Sequence, residues 1–273
     1  MKDIQSRLTI LNFDGAVYTD ISDALCDFGT DTEDVTVASA GYLYLGFPKP
    51  ITGSYFHITE LNTTPLTISV QIYAQSGWIT PSFLDDTKGF TRSGFIHWEL
   101  PETGVVASTV NGLEQLWHRI SVSTDSEEMT VNAISALFAD DNELVNEFPD
   151  ILDASFLLGK ASHILIHESC RDEIVQTFRN RGLRTIRNSY YKRLTHWDIM
   201  DVQEVRLAAR YLALSKVFEN VANYDDKDNW RKKSRMYMDK YEKAINLAFL
   251  TWDRLQDGSI NVQRDMSVGV LSR

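Results

Sequence analysis

The chain has 273 residues, 43% of them apolar and 11% aromatic, with 38 Asp+Glu against 27 Lys+Arg for a formal net charge of -11. This composition excludes a disordered or fibrous chain, and the length suits one large or two medium domains at about 100–200 residues each. Two cysteines, Cys26 and Cys170, exclude a disulfide scaffold and a four-cysteine zinc module.

Apolar runs fall short of the roughly 18 residues a membrane span needs, and Met1 to Gly15 lacks the basic start and apolar core of a secretory signal. A soluble, intracellular protein with no membrane partner is expected. Charge divides unevenly: residues 1–150 hold 6 Lys+Arg and 22 Asp+Glu, while residues 151–273 hold 21 and 16. The first half repels phosphates, the second is too sparsely basic to read nucleic acid directly, and the asymmetry points to two different partners.

From Gly41 the apolar residues alternate. Leu66, Ile68, Val70 and Ile72 face one way and Thr67, Ser69 and Gln71 the other, which is the pattern of a half-buried strand. Similar runs stand at Tyr42–Phe47, Tyr55–Ile58, Phe95–Leu100 and Trp117–Val122, separated by turn-rich stretches such as Asp85-Asp86-Thr87-Lys88-Gly89. Spacing of about 8–12 residues suggests an antiparallel β-sandwich or partly closed barrel over residues 1–150. Met129–Phe138 fits a strand or a short helix and is read as a strand. Trp78 and Trp98 have the look of sugar-stacking aromatics in a glycan-binding module, although tryptophans of a β domain more commonly belong to its core.

After Phe148-Pro149-Asp150 the period becomes helical, and residues 151–258 read as an α-helical bundle. A first long helix lies within Asp153–Arg181 and closes near Gly182. A second, about Asp198 to Asn223, carries the stripes Val202/Val205/Ala209/Leu212 and Leu207/Tyr211/Leu214/Phe218/Val221. A third, about Asp228 to Leu255, aligns Tyr237, Tyr241, Ala244, Ile245, Ala248 and Trp252. Arg231, Lys232, Lys233 and Arg235 crowd its first turns, the unfavourable end of the helix dipole for cations. An acidic partner would suit them there, although a solvated basic face is the commoner use of such a run. Residues 259–273 have no helical period and read as an extended tail, able either to dock on a partner by strand addition or to fray.

His163, His167 and Cys170 stand at i, i+4 and i+7, a conceivable zinc set, but the stripe continues through Ile174 and Phe178 and reads better as a buried helix face, so no metal is assigned. Asp253–Arg264 has the outline of a calcium loop but holds Leu255 and Arg264 where oxygen ligands are required. There is no GxSxG, HExxH or phosphate-binding glycine loop, and the pairs Asp85/Asp86 and Asp140/Asp141 are ordinary turn residues. No enzyme and no cofactor is expected.

Asp85–Trp98, followed by Glu99-Leu100-Pro101, is similar to segments of β domains in tailed-bacteriophage virion proteins, as is Ala136–Leu144. From about Ser155 to Arg273 the chain resembles phage head–tail connector (adaptor) proteins. The likeness rests on an arginine-bearing helix, a central helix with Ala208-Ala209, then Tyr237, Tyr241-Glu242 and Ala244 leading to Trp252-Asp253, Asp257-Gly258 and the ending Leu271-Ser272-Arg273. The resemblance implies a virion neck protein, made in the host cytoplasm, that forms a ring beneath the portal protein, twelve-fold in such adaptors. That ring receives the next neck or tail-completion protein, and packaged DNA passes through its channel without sequence-specific binding. It also implies that Ser259–Arg273 is the portal-docking tail, with Ile260, Val262, Met266, Val268, Val270, Leu271 and Arg273 as contacts, and that Asp228–Asp257 aims it. The large β domain departs from the small adaptors, which are little more than the bundle. The alternatives are a tail or baseplate structural protein and, from another class, the glycan-binding module.

Overall fold

The computed structural model describes residues 8–25, 33–101, 104–126, 129–187, 190–199, 201–225, 228–252 and 262–265. The chain divides into two compact units, the first running to Ala136 and the second starting at Leu137. The first is built of antiparallel sheets and the second is mainly helical.

The first unit contains β1 (Thr9–Phe13), β2 (Tyr18–Asp20), a short α1 (Ser22–Leu25), β3 (Glu33–Val35), β4 (Tyr42–Phe47), β5 (Gly53–Glu60) and β6 (Ile68–Ala74). It continues through β7 (Gly77–Ile79), β8 (Phe83–Asp85), β9 (Gly94–Trp98), β10 (Ser108–Val110), β11 (Leu113–Val122) and β12 (Met129–Ser135). A seven-stranded sheet runs β2-β1-β4-β11-β6-β7, with β10 also on β11, and a five-stranded sheet runs β3-β12-β5-β9-β8. Among the described residues neither closes into a barrel. Alternation dictates the faces: in β6, Ile68, Val70, Ile72 and Ala74 are buried while Ser69, Gln71 and Tyr73 are half-buried on the other side. Phe47 of β4 and His118 of β11 lie 6.0 and 4.9 Å from Trp98 of β9. Each fully buried ring or branched aliphatic here stabilises by about 1.5–3 kcal/mol.

Strands expected at Tyr42–Phe47, Tyr55–Ile58, Phe95–Leu100 and Trp117–Val122 lie on β4, β5, β9 and β11, and Met129–Ser135 is a strand. The sequence pattern missed β1 to β3, β7, β8 and β10, strands of three to five residues with few apolar positions, which are held by pairing with other strands, such as β1 on β4 and β3 on β12.

The second unit opens with α2 (Asp141–Glu147), whose N-cap Asp140 accepts a hydrogen bond from the Glu143 N–H. Next come a 3₁₀ turn (Pro149–Leu152), α3 (Ala154–Leu157) and α4 (Ile164–Asn180). The long helix expected within Asp153–Arg181 is α4, which does not reach back to Asp153. Leu158 and Gly159 adopt left-handed backbone, φ 51° and 82°, which ends α3 before α4 can begin. The expected stop at Gly182 is present: its φ is 83°, and the Leu183 N–H reaches back to the Phe178 carbonyl. A hairpin of β13 (Arg184–Arg187) and β14 (Tyr190–Arg193) follows, between the first and second expected helices, where no strand was expected.

The bundle is completed by α5 (Gln203–Asp225) and α6 (Asp228–Leu247). Val205, Ala209, Leu212, Leu214, Phe218 and Val221 of α5 are buried, as are Tyr237, Tyr241 and Ile245 of α6. The second expected stripe of α5 is interrupted, because Leu207 is 46% exposed. The third helix also stops earlier than Leu255: β15 (Phe249–Trp252) pairs antiparallel with β16 (Val262–Asp265). Phe249-Leu250-Thr251-Trp252 has the aromatic and β-branched content that strands favour, and the long-range partner decides against the helix.

Candidate partner-binding site

Of the residues expected to form the docking tail, Val262 opens β16 directly opposite Trp252. Ile260, Met266, Val268, Val270, Leu271 and Arg273 lie outside the described residues, as does the calcium-like loop up to Asn261. Val262–Asp265 is extended, and its partner is β15 of the same chain. Among the described residues neither strand of that hairpin has a second neighbour.

The basic start of α6 does not form one patch. Arg231, Lys232 and Arg235 are exposed, and Arg231 lies 3.9 Å from the Asp228 carboxylate one turn earlier, an acid that also complements the helix dipole. Lys233 turns inward. Its ammonium lies 4.3 Å from the Phe148 ring centre, 4.9 Å from Trp230 and 5.2 Å from Phe218. Those rings belong to a ladder in which Trp230 stacks on Phe218 at 5.6 Å and Phe218 on Tyr237 at 5.5 Å. One heptad on, Lys240 lies over Tyr237 and Tyr211 and donates to Glu147 Oε1 at 2.8 Å, a bond that raises its pKa. Beside the ladder is a cleft of about 540 Å³ lined by Phe156, Leu158, Val221, Tyr224 and Trp230. Tyr224 is 81% exposed at its rim.

A polar hub ties α2 to α4 and α5. Asp141 accepts from His167 Nε2 at 3.0 Å and from the His163 N–H, and the His163 ring meets the Ile151 carbonyl at 3.0 Å. Burial would raise the Asp141 pKa, but the His167 hydrogen bond and the two histidines hold it below the usual range. Burial lowers the His163 pKa and pushes the Cys170 thiol up to about 12, so this thiol stays protonated. Glu143 carries the hub to α5, with Arg206 at 2.5 Å and Arg210 at 3.5 Å. The His163, His167, Cys170, Ile174 and Phe178 stripe is buried throughout. Among the described residues no cluster of three or more His, Cys, Asp or Glu is disposed to hold a metal ion.

In the sheet unit, Trp98 is 3% exposed and its Nε1 donates to the Ile51 carbonyl at 2.6 Å, so that ring offers a sugar no open face. Trp78 is half-buried on the outer face of the seven-stranded sheet, beside Tyr44 and Tyr73. Arg119 lies over it at 4.2 Å. Sequence reasoning passed over Arg119, although it is one of only six cations in the first 150 residues. Asp85 is structural: it accepts from the N–H groups of Thr87 and Gly89 and folds the loop between β8 and β9. No helix among the described residues is long and apolar enough to cross a membrane.

No known protein-family model matches this chain, and no curated protein compared with it matches either.

Proposed function

We propose that this chain is a structural virion protein of a tailed phage, a head–tail connector that forms a ring under the portal and joins the DNA-filled head to the tail. The observation that carries the reading is the route of the chain out of the bundle. After the long α5–α6 pair, the backbone forms a hairpin whose strand β16 lies within the segment resembling an adaptor docking tail. A two-stranded ribbon with an open edge can add a strand from a partner. In this reading the partners are the portal protein, further copies of the chain in the ring, and the next neck or tail-completion protein. The strongly acidic first half lets packaged DNA pass without sticking. The chain acts as a scaffold in the virion neck and catalyses nothing. The two sheets of the first unit are the halves of a β-sandwich, a reading supported by Trp98 of one sheet against Phe47 and His118 of the other.

Deleting Ser259–Arg273 tests the role of the tail. The expected result is loss of co-sedimentation with portal rings while the circular dichroism of the bundle is retained. Unchanged attachment, or unfolding of the truncated chain, contradicts it.

A further inference from the structure

The register of the seven-stranded sheet places Arg119 of β11 directly opposite Tyr44 on β4 and Gln71 on β6. Side chains of one face recur at every second residue, so Tyr42 shares this face, and Trp78 joins it through its pairing with Tyr73. The Arg119 guanidinium lies 3.9 Å from the Tyr42 ring centre and 4.2 Å from that of Trp78. Its Nε donates to Gln71 Oε1 at 2.8 Å and its Nη1 to Tyr44 Oη at 3.4 Å. Among the described residues no carboxylate pairs with this cation, and Nη2 donates to no protein atom. Tyr42, Trp78 and Arg119 are all half-buried, so part of each reaches solvent.

The missing acid is informative, because residues 1–150 hold 22 acidic side chains against 6 basic ones. The guanidinium is held in place by rings and neutral acceptors, and its remaining donors form the planar fork that matches a carboxylate. The parts of the Tyr42 and Trp78 rings that the guanidinium leaves uncovered suit the C–H groups of a pyranose, and the Tyr42 hydroxyl suits its hydroxyl groups. The acidity of the unit disfavours nucleic acids and acidic peptides, which carry a charge at every residue, far more than a sugar with one. We propose that the Tyr42–Arg119–Trp78 face binds an acidic saccharide, a pyranose whose carboxylate pairs with Arg119 while Tyr42 and Trp78 flank the ring. This inference is independent of the connector reading and holds for a neck or a tail protein alike.

Saturation-transfer NMR on the full chain tests it, with sialyllactose and digalacturonate as acidic probes, their methyl esters as neutral ones, and hexaglutamate as the peptide probe. The expected result is transfer to an acidic sugar that falls about ten-fold or more in its ester. Arg119→Gln abolishes the signal, and Arg119→Lys, which keeps the charge without the fork, retains part of it. The ester comparison uses the unaltered chain and therefore holds even where Arg119→Gln unfolds the sheet. No transfer to either acidic sugar at millimolar concentration, equal transfer to acid and ester, or an equal signal from hexaglutamate overturns the proposal.

Discussion

His167 Nε2 stands 3.0 Å from Oδ1 of Asp141, and the same carboxylate accepts the N–H of His163 at 3.2 Å. One acid at the start of α2 thereby fastens the start of α4, four residues apart in sequence from one donor to the other. Replacing it by alanine strands two buried donors. Asp141→Ala is expected to cost about 2–3 kcal/mol at pH 7. Because the folded-state pKa of Asp141 is depressed, its contribution is present above the ordinary value of 3.8 and is lost as pH falls below it. Urea denaturation at pH 7 and again near pH 3 checks this, and the gap between wild type and variant narrows at the lower pH.

A second acid-sensitive group lies in the sheet unit. His118 is fully buried between Phe47 and Trp98, and burial pulls its pKa down to about 3. Its ring nitrogens make no hydrogen bond of ordinary geometry. The folded state keeps this imidazole neutral while the unfolded state takes up a proton below 6.5, so stability falls as pH drops from 6.5 toward 3. His118→Leu is expected to flatten that decline. Melting temperatures recorded across the range provide the comparison.

The basic run at the start of α6 divides by environment. Lys233→Ala removes a cation held over three rings and is expected to cost about 1–2 kcal/mol. Lys232→Ala and Arg235→Ala alter exposed side chains, and each is expected to stay within about 0.5 kcal/mol. Equal losses across the three, measured by chemical denaturation, would show that the aromatic contacts contribute nothing special.

Gly89 has φ +67°, and a Cβ there would lie 2.3 Å from the backbone N and O of Leu66. Gly112, with φ +77°, has open space around it. Gly112→Ala bears only the conformational strain, about 1–2 kcal/mol. Gly89→Ala must also displace main chain, and its loss is expected to be clearly the larger in a thermal melt.

These contrasts also show what a sequence carries. Alternation at Ile68–Ile72 was legible because one face of β6 is apolar and the other polar over seven residues. The stop at Gly182 was legible because left-handed backbone needs that residue type. The end of α6 was not, since Ala248 and Trp252 continue the helical spacing while Phe249–Trp252 equally suits a strand. Pairing with residues ten and more positions away settles such a conflict. Sites behave the same way. The burial of the His163, His167 and Cys170 stripe followed from spacing within one helix. The Arg119 box did not, because it joins strands at residues 42, 78 and 119 through a register no local pattern encodes. Nor did the inward turn of Lys233, whose cage depends on Phe148 and Phe218 reaching it from elsewhere in the bundle.

The proposed connector function requires attachment beneath a portal. Negative-stain class averages of this protein mixed with portal rings from the same phage test it most directly. The expected result is added density on the tail-facing end, with the rotational symmetry of the portal. Bare portals at saturating protein would contradict it and move the assignment to the tail or baseplate.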